Sequence, residues 1–356
     1  MHTQTRIPVA VLGATGMVGQ RFIELLQGHP WFDLVALAAS QQREGRAYAE
    51  VAKWRLSGSE MPASVASLPV VACKPEALPA DVKIVFSALP AEVAGEIEAS
   101  FARAGMAVFS NAKNYRMQND VPLLIPEVNA DHAAVIVQQR KQRGWTGCIV
   151  TNANCSATPL VMALKPLQQA FGVHKVMVTT LQAISGAGYP GLPSYDILDN
   201  AIPYIGGEEE KVESETRKML GTWEEGRGFT DAPIVVSAQC NRVATREGHL
   251  ECASVELGYD VKPEEIIAAW ESYAPELQSL KLPSAPEQVL VYRNEPDRPQ
   301  TLLDRDRGHG MTITLGRLRR CPILSYKFVL LGHNTIRGAA GGSILNAELC
   351  VSKGLV

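Results

Sequence analysis

The sequence lacks the marks of several large protein classes. Its seven cysteines, Cys73, Cys148, Cys155, Cys240, Cys252, Cys321 and Cys350, form no CxxC pair and follow no regular spacing. That pattern argues against a zinc ribbon or a disulfide framework, and nothing else in the chain calls for a metal. No apolar stretch reaches the ~18 uninterrupted residues of a membrane span. The opening MHTQTRIPVAVLG holds no signal-type hydrophobic region, because its apolar run already reads as a first strand. A cytoplasmic protein with reduced thiols is therefore expected. Charge of one sign is not in excess: 34 Lys and Arg stand against 37 Asp and Glu, a formal net charge of -3. Such a balance gives no general affinity for nucleic acid or anionic membrane, and suits a small charged metabolite. There is no internal repeat or low-complexity segment.

What is present is a soluble globular composition, 46% hydrophobic over 356 residues, enough for two domains that each bury a core. Up to about residue 150, short β-branched runs alternate with helical stretches. IPVAVLG (7–13) precedes a helix-like MVGQRFIELLQGH (17–29). LVALAAS (34–40), LPVVAC (68–73), VKIVFSALP (82–90) and MAVFSNA (106–112) read as buried strands, with a helix at 91–105. This alternation predicts βαβ units and a parallel sheet covered on both faces, an α/β dinucleotide-binding domain of the Rossmann type.

After GCIVTNANCSATP (147–159) the character changes to longer strands, at 174–185, 232–239, 249–257, 288–293 and 325–332, with a helix at 262–273. That half reads as α+β with a mixed or antiparallel sheet. The last segment (334–354) reads as a Gly-rich turn and a helix returning to the first domain. The expected division is 1–153, completed by 334–356, and 154–333.

The first strand runs into Gly13-Ala14-Thr15-Gly16-Met17-Val18-Gly19. Glycines let the backbone approach a pyrophosphate, and the helix that follows points its positive end at that anion. Standing after the first strand of an alternating series, the loop predicts dinucleotide binding. At the end of the second strand, where an NAD-preferring fold often carries a carboxylate, Ser40 stands with Arg43 three residues on. A hydroxyl and a guanidinium suit the 2′-phosphate of NADP.

In TNANCSATP an apolar strand stops at an Asn-rich turn and Cys155 falls where a helix begins. The helix dipole and free N–H groups there would stabilise a thiolate, and with the Asn154 region could hold an oxyanion. His249, at the mouth of a strand after a glycine, suits general acid–base work through its near-neutral pKa. His29, His132 and His174 read as surface residues, while His309 and His333 are not dismissed by spacing. The run EEEK (208–211) reads by itself as a solvated charge cluster.

Several separated motifs then occur in one order: GATGMVGQRFIELL, SALPAEVA, SNAKNYR, NANCS, LQAISGAGYPG, IPYIGGEEEK, CNRVATREGH and HNTIRGAAGGSILNAE. Through them nearly the whole chain resembles the aspartate-semialdehyde dehydrogenases, nearest to the branch found in archaea and fungi. The resemblance implies Cys155 of an Asn154–Cys155 motif as nucleophile, Gln182 placing the substrate and His249 as acid–base group. It implies Arg242, seven residues before His249, as a clamp on the substrate carboxylate. Arg116 and Lys211 correspond to the phosphate site, and Glu208 to a carboxylate for the substrate's amino group. On a helix, 208 and 211 share a face. Ser87 and Asn334 join the cofactor set, with Gly338 nearby. The implied reaction is NADPH-dependent reduction of L-aspartyl-4-phosphate to L-aspartate 4-semialdehyde, feeding lysine, threonine and methionine synthesis. A homodimer or homotetramer formed through the second domain is also implied. Malonyl-CoA reductases and N-acetyl-glutamyl-phosphate reductases are related rivals, and a non-catalytic NADP-binding protein is a third reading.

Overall fold

The computed structural model describes residues 6–356; residues 1–5, the start of the segment expected to carry no signal peptide, lie outside the described residues. The early β-branched runs become β1 (Ile7–Leu12), β2 (Phe32–Ala39), β3 (Val70–Ala72), β4 (Ile84–Ser87), β5 (Ala107–Ser110), β6 (Leu123–Leu124) and β7 (Cys148–Asn152). They form a parallel sheet in the order β3-β2-β1-β4-β5-β7-β6. Side chains alternate across a strand, so both faces of a covered sheet must be apolar. Val9 and Val11 enter one core with Phe22, Phe32 and Phe86, and Ala10 and Leu12 enter another with Val85 and Val108. The final helix, Gly341–Ser352, packs into the first of these cores through Ile344, Leu345 and Leu349. Strand order reverses between β1 and its neighbours β2 and β4, which opens a crevice at their carboxyl ends.

The second half builds β8 (Val173–Gln182), β9 (Ala201–Ile202), a small hairpin of β10 (Thr222–Glu224) and β11 (Gly228–Thr230), then β12 (Val235–Val243), β13 (His249–Leu257), β14 (Leu290–Arg293), β15 (Ile313–Arg320) and β16 (Tyr326–Gly332). Apart from the hairpin, these make a mixed sheet, β14-β15-β16-β13-β8-β12-β9. Helices Ala157–Phe171 and Pro263–Glu271 cover one face, with Leu160, Leu164 and Trp270 in its core. The other face leaves Met177 and Val235 exposed.

Register in this sheet assembles a site. β12 runs parallel to β8 with Arg242 beside Gln182, while β13 runs antiparallel to β8 with Leu250 beside Leu181. The carboxyl ends of β8 and β12 therefore meet the amino end of β13, and Gln182, Arg242 and His249 gather at one edge.

Three readings are corrected, and a stretch the sequence left unread finds a role. The strand β15 was not foreseen, because LGRLRR breaks the alternation: the register slips between Gly316 and Arg319, with Arg317 at a positive φ of 57°. The segment after β16 turns only at Asn334 and Thr335, and its glycines lie in a π-helical stretch, Ile336–Ala340, and the last helix that continues it. His29 and His132 are not surface residues. They are buried, the first against Glu348 at 2.8 Å and the second against Asn129 at 3.0 Å. The stretch 41–59 is a support: Tyr48, buried with its hydroxyl held well above its usual pKa by burial, donates to the Ala14 carbonyl under the Gly-rich loop.

Candidate active site

β7 delivers the chain to Asn152, and the helix begins at Ala157, two residues after Cys155. Asn154 shapes the turn between them. Its Oδ1 accepts the amides of Ser156 (2.9 Å) and Ala157 (3.0 Å), as an N-capping side chain does. Those two amides are thus occupied and not free to hold an oxyanion. Cys155 Sγ lies 3.2 Å from His249 Nε2. Behind it, a Cβ added to Gly338 would come within 2.7 Å of the Cys155 Cβ, so only glycine fits. Gly338 is held there by its own carbonyl, which accepts from Asn152 Nδ2 at 3.2 Å.

Neither member of the pair has the ionisation expected of it. Burial, then the nearby Glu208 charge, pushes the Cys155 thiol up to about 12, against the pull of Arg116, Arg242 and Lys211. Burial, then Arg242, holds His249 down to about 3 instead of near neutrality. Both shifts favour the neutral thiol and the neutral imidazole over an ion pair, which would have to leave water.

A cleft of about 620 Å³ opens over this pair, lined by Asn154, Cys155, Gln182, Glu208, Lys211, Arg242, Arg116, Val18 and Asn334. Helix Glu208–Leu220 supplies the carboxylate: Glu208 Oε1 accepts from Asn154 Nδ2 (2.8 Å) and Gln182 Nε2 (3.0 Å), and Oε2 pairs with Lys211 Nζ at 2.7 Å. Burial opposes its charge, but Lys211 and these donors win and bring Glu208 down to about 2. EEEK is therefore no solvated cluster at its first and last residues. Arg242 is 6% exposed, and its Nη1 donates to the Ala183 carbonyl at 2.6 Å. A Cβ at Gly186 would stand 2.9 Å from that Nη1 and 3.5 Å from the His249 ring. Gly186→Ala should raise the substrate KM by about tenfold, since crowding a packed site costs roughly 1–3 kcal/mol. Steady-state kinetics checks this, and an unchanged KM would separate Arg242 from substrate binding.

Two residues that support this cleft escaped the sequence. Glu215, 1% exposed, accepts from Arg116 Nη1 (2.9 Å) and from the Asn154 amide (2.6 Å), tying Arg116 to the turn that carries Cys155. It lies seven residues after Glu208 on the same helical face, the one signal that pointed to it. Lys218 donates to the carbonyls of Arg116, Gln118 and Val121 and so fixes the loop that carries Arg116.

A second cavity of about 580 Å³ shares Leu89 with the first and is lined by Gly13, Thr15, Gly16, Ser40 and Arg43. Gly13 has φ +72°, and a Cβ there would meet the Ala88 carbonyl oxygen at 2.6 Å. Added to Gly19, a Cβ would meet the Gly13 carbonyl at 2.3 Å, so glycine allows loop and helix to close together. The amides opening helix Met17–Leu25 have no side-chain cap, which leaves them free to bind an anion. Arg43 contacts the Thr15 hydroxyl, and Lys74, missed in the sequence, lines the same end. This donor set fits a dinucleotide bearing a 2′-phosphate. Met17 lines a small neighbouring pocket instead. Ser87 departs from expectation: it is fully buried and spends its hydroxyl on Glu98 at 2.6 Å. Asn334 accepts the Gly248 amide (2.8 Å) and donates to Ser185 (2.8 Å), beside both the cleft and His249. Ser40→Asp should reduce the NADP-over-NAD preference at least about tenfold, because a carboxylate there repels the 2′-phosphate. Titration with both dinucleotides tests it, and an unchanged ratio contradicts this placement.

Residues 8–136 match the family described as semialdehyde dehydrogenase, NAD binding domain, and residues 164–337 match its dimerisation domain. An aspartate-semialdehyde dehydrogenase of Archaeoglobus fulgidus is 52% identical over 99% of this chain and 100% of its own. The Saccharomyces cerevisiae enzyme of that name is 45% identical over 97% of this chain and 98% of its own. Among solved structures, aspartate semialdehyde dehydrogenase with NADP from Candida albicans is similar at TM-score 0.91, with 44% identity over 99% of this chain and 100% of that one. A Vibrio cholerae aspartate semialdehyde dehydrogenase II complexed with ASA has TM-score 0.77 and 26% identity, over 98% of this chain and 99% of that one.

Proposed function

This chain belongs to the aspartate-semialdehyde dehydrogenase family, and from that premise we infer that it reduces L-aspartyl-4-phosphate to L-aspartate 4-semialdehyde with NADPH. The observation that carries the reading is the Cys155–His249 contact of 3.2 Å in one cleft with Arg242, Lys211 and Arg116. The Arg242 guanidinium offers a carboxylate a bidentate fork. Arg116 and Lys211 are placed for the phosphate, and Glu208 for the amino group. Gly13, Thr15, Gly16, Ser40 and Arg43 hold the dinucleotide, with Val18 and Asn334 at its nicotinamide end.

Cys155 attacks the acyl carbon, and phosphate leaves a thioester on the sulfur, so one hard displacement becomes two easier steps. Bound in the neighbouring cavity, NADPH supplies the hydride that reduces the thioester carbonyl. His249, whose Nε2 lies 3.2 Å from Cys155 Sγ, takes the thiol proton as the sulfur attacks and returns it as the sulfur departs. Collapse returns the Cys155 sulfur and releases the aldehyde. Product of this kind serves aspartate-family amino acid synthesis.

A malonyl-CoA reductase would also use a carboxylate clamp, but malonate has no amino group for Glu208. The test compares aspartate semialdehyde with malonate semialdehyde. Wild type should favour the amino-bearing substrate in kcat/KM by at least about tenfold, as one charge-assisted contact allows, and Glu208→Gln should shrink that ratio. Equal use of both substrates would move the assignment to malonyl chemistry.

Residues 1–153 with 334–356 serve as the cofactor domain, and 154–333 as the catalytic and dimerisation domain. A homodimer or homotetramer formed on the exposed face bearing Met177 and Val235 is the assembly we favour. Among the described residues no helix is long and apolar enough to cross a membrane, and the cysteines are free. Work in a reducing, cytoplasmic setting follows most simply from those thiols.

A further inference from the structure

We propose that Glu247 is a positioning residue for the reaction: clamped by Arg21 of the cofactor domain, it aims His249 at Cys155. The proposal rests on the proton-transfer role given to His249 above.

His249 stands at the very start of its strand. β12 and β13 lie on either side of β8, so the chain crosses the end of β8 through residues 244–248 before His249 opens β13. No ladder of strand bonds fixes the backbone in that crossing, and other contacts must do so. Gly248 makes the last step at a φ of +94°, and a Cβ there would press on Arg305 Cβ at 3.3 Å and Leu331 Cδ1 at 3.4 Å. Glycine thus lets the chain turn sharply between Glu247, bonded to the cofactor domain, and His249, 3.2 Å from the sulfur.

Three anchors hold this step. The Gly248 amide donates to Asn334 Oδ1 at 2.8 Å, and the Glu247 carbonyl accepts from Arg305 Nη1 at 3.1 Å. The third anchor is the buried Glu247 side chain. Its Oε1 accepts from Arg21 Nη2 (2.8 Å) and Thr335 Oγ1 (3.2 Å), and its Oε2 lies 3.4 Å from His333 Nε2. Burial opposes charge on Glu247, but His333 and Arg21 outweigh it and bring the carboxyl down to about 2. The bond to Arg21 is therefore charge-assisted at neutral pH. His333, which spacing did not dismiss, finds its place here as a partner of Glu247.

Arg21 lies 226 residues from Glu247 in the chain. It stands one turn beyond Met17, in the helix whose opening amides are free to bind the dinucleotide's phosphates. One short segment of the same domain braces both reacting side chains. Asn334 and Thr335 hold the step before His249, while Gly338 backs Cys155. The sulfur and the imidazole are thereby set against a common support. Such alignment matters, since a displacement of about 1 Å can cost on the order of 100-fold in rate. Loss of Glu247 leaves Arg21 bonded to Glu24 Oε2 at 2.6 Å, so no bare charge is created there.

The test is a double-variant cycle on the full-length protein with Glu247→Ala and His249→Gln. The first readout is iodoacetamide alkylation at pH 7.5, followed on the peptide that contains Cys155. Glu247→Ala should slow it about tenfold in wild type, and no more than about twofold where His249→Gln is already present. The second readout is steady-state turnover of aspartate semialdehyde. There kcat should fall at least about tenfold while KM stays within about threefold, as expected of misplaced chemistry with binding retained. Arg21→Met leaves Glu247 its contacts with Thr335 and His333, and it repeats the cycle should Glu247→Ala fail to fold. Its slowing should vanish in the His249→Gln background in the same way. Equal slowing in both backgrounds, or none in either, would overturn the proposal. Alkylation uses no substrate, so its expected pattern without turnover of aspartate semialdehyde would count against the assigned reaction alone.

Discussion

Cys155→Ala is expected to lower kcat by at least about 10⁴-fold, the scale seen when a covalent nucleophile is removed, while NADP still binds. The side chain has no partner that does its chemistry. Among the described cysteines, Cys148, Cys240 and Cys350 are buried and Cys252 lies on the exposed outer face of β13. The turn that presents Cys155 is made by its neighbours: Asn154 caps the helix and Glu215 holds the Asn154 amide. Alanine leaves all three bonds in place, so the fold should be retained with a stability change of no more than about 1 kcal/mol. The dinucleotide cavity does not include Cys155, so the dissociation constant for NADP should hold. Rapid quench with the substrate checks for a missing protein-bound thioester. Retained turnover in the variant would remove Cys155 from the chemistry.

The largest loss of stability is expected from Arg337→Met. Arg337 Nη1 and Nη2 donate to Glu127 Oε1 and Oε2 at 2.7 Å each, with the two side chains 1% and 0% exposed. Removing the cation leaves a carboxylate buried and uncompensated, which costs roughly 3–5 kcal/mol, whereas a matched apolar pair need cost little. Denaturant unfolding should show that loss in Arg337→Met and recover much of it in the double variant with Glu127→Met. Activity should fall as well, because Arg337 stands in the π-helical stretch whose next residue, Gly338, backs Cys155. A double variant as unstable as the single one would mean that Arg337 acts through packing alone.

The parallel sheet was legible because buried strands read as unbroken apolar runs, and the Gly13–Gly19 loop because close backbone approach demands glycine. Cys155 and His249 stood out by position, at a strand end and a strand mouth. The features that were not legible depend on partners far along the chain. Glu127 meets Arg337 across 210 residues, and Arg116 meets Glu215 across 99. Lys74 joins Arg43 only because β2 and β3 are neighbours in the sheet. Local context suggested an ionised cysteine at the helix start and a near-neutral histidine at the strand mouth, but burial, visible only in three dimensions, opposes charge on both. Ser87 shows the converse: a serine at the end of a cofactor-side strand turns into the core because Glu98 waits there.

The most direct test follows NADPH formation from aspartate semialdehyde and NADP, with and without inorganic phosphate. Phosphate-dependent turnover is the expected result, since the acyl group on Cys155 needs an acceptor in the cleft between Arg116 and Lys211. Absence of turnover in protein that still binds NADP, or turnover that ignores phosphate, would contradict the assignment.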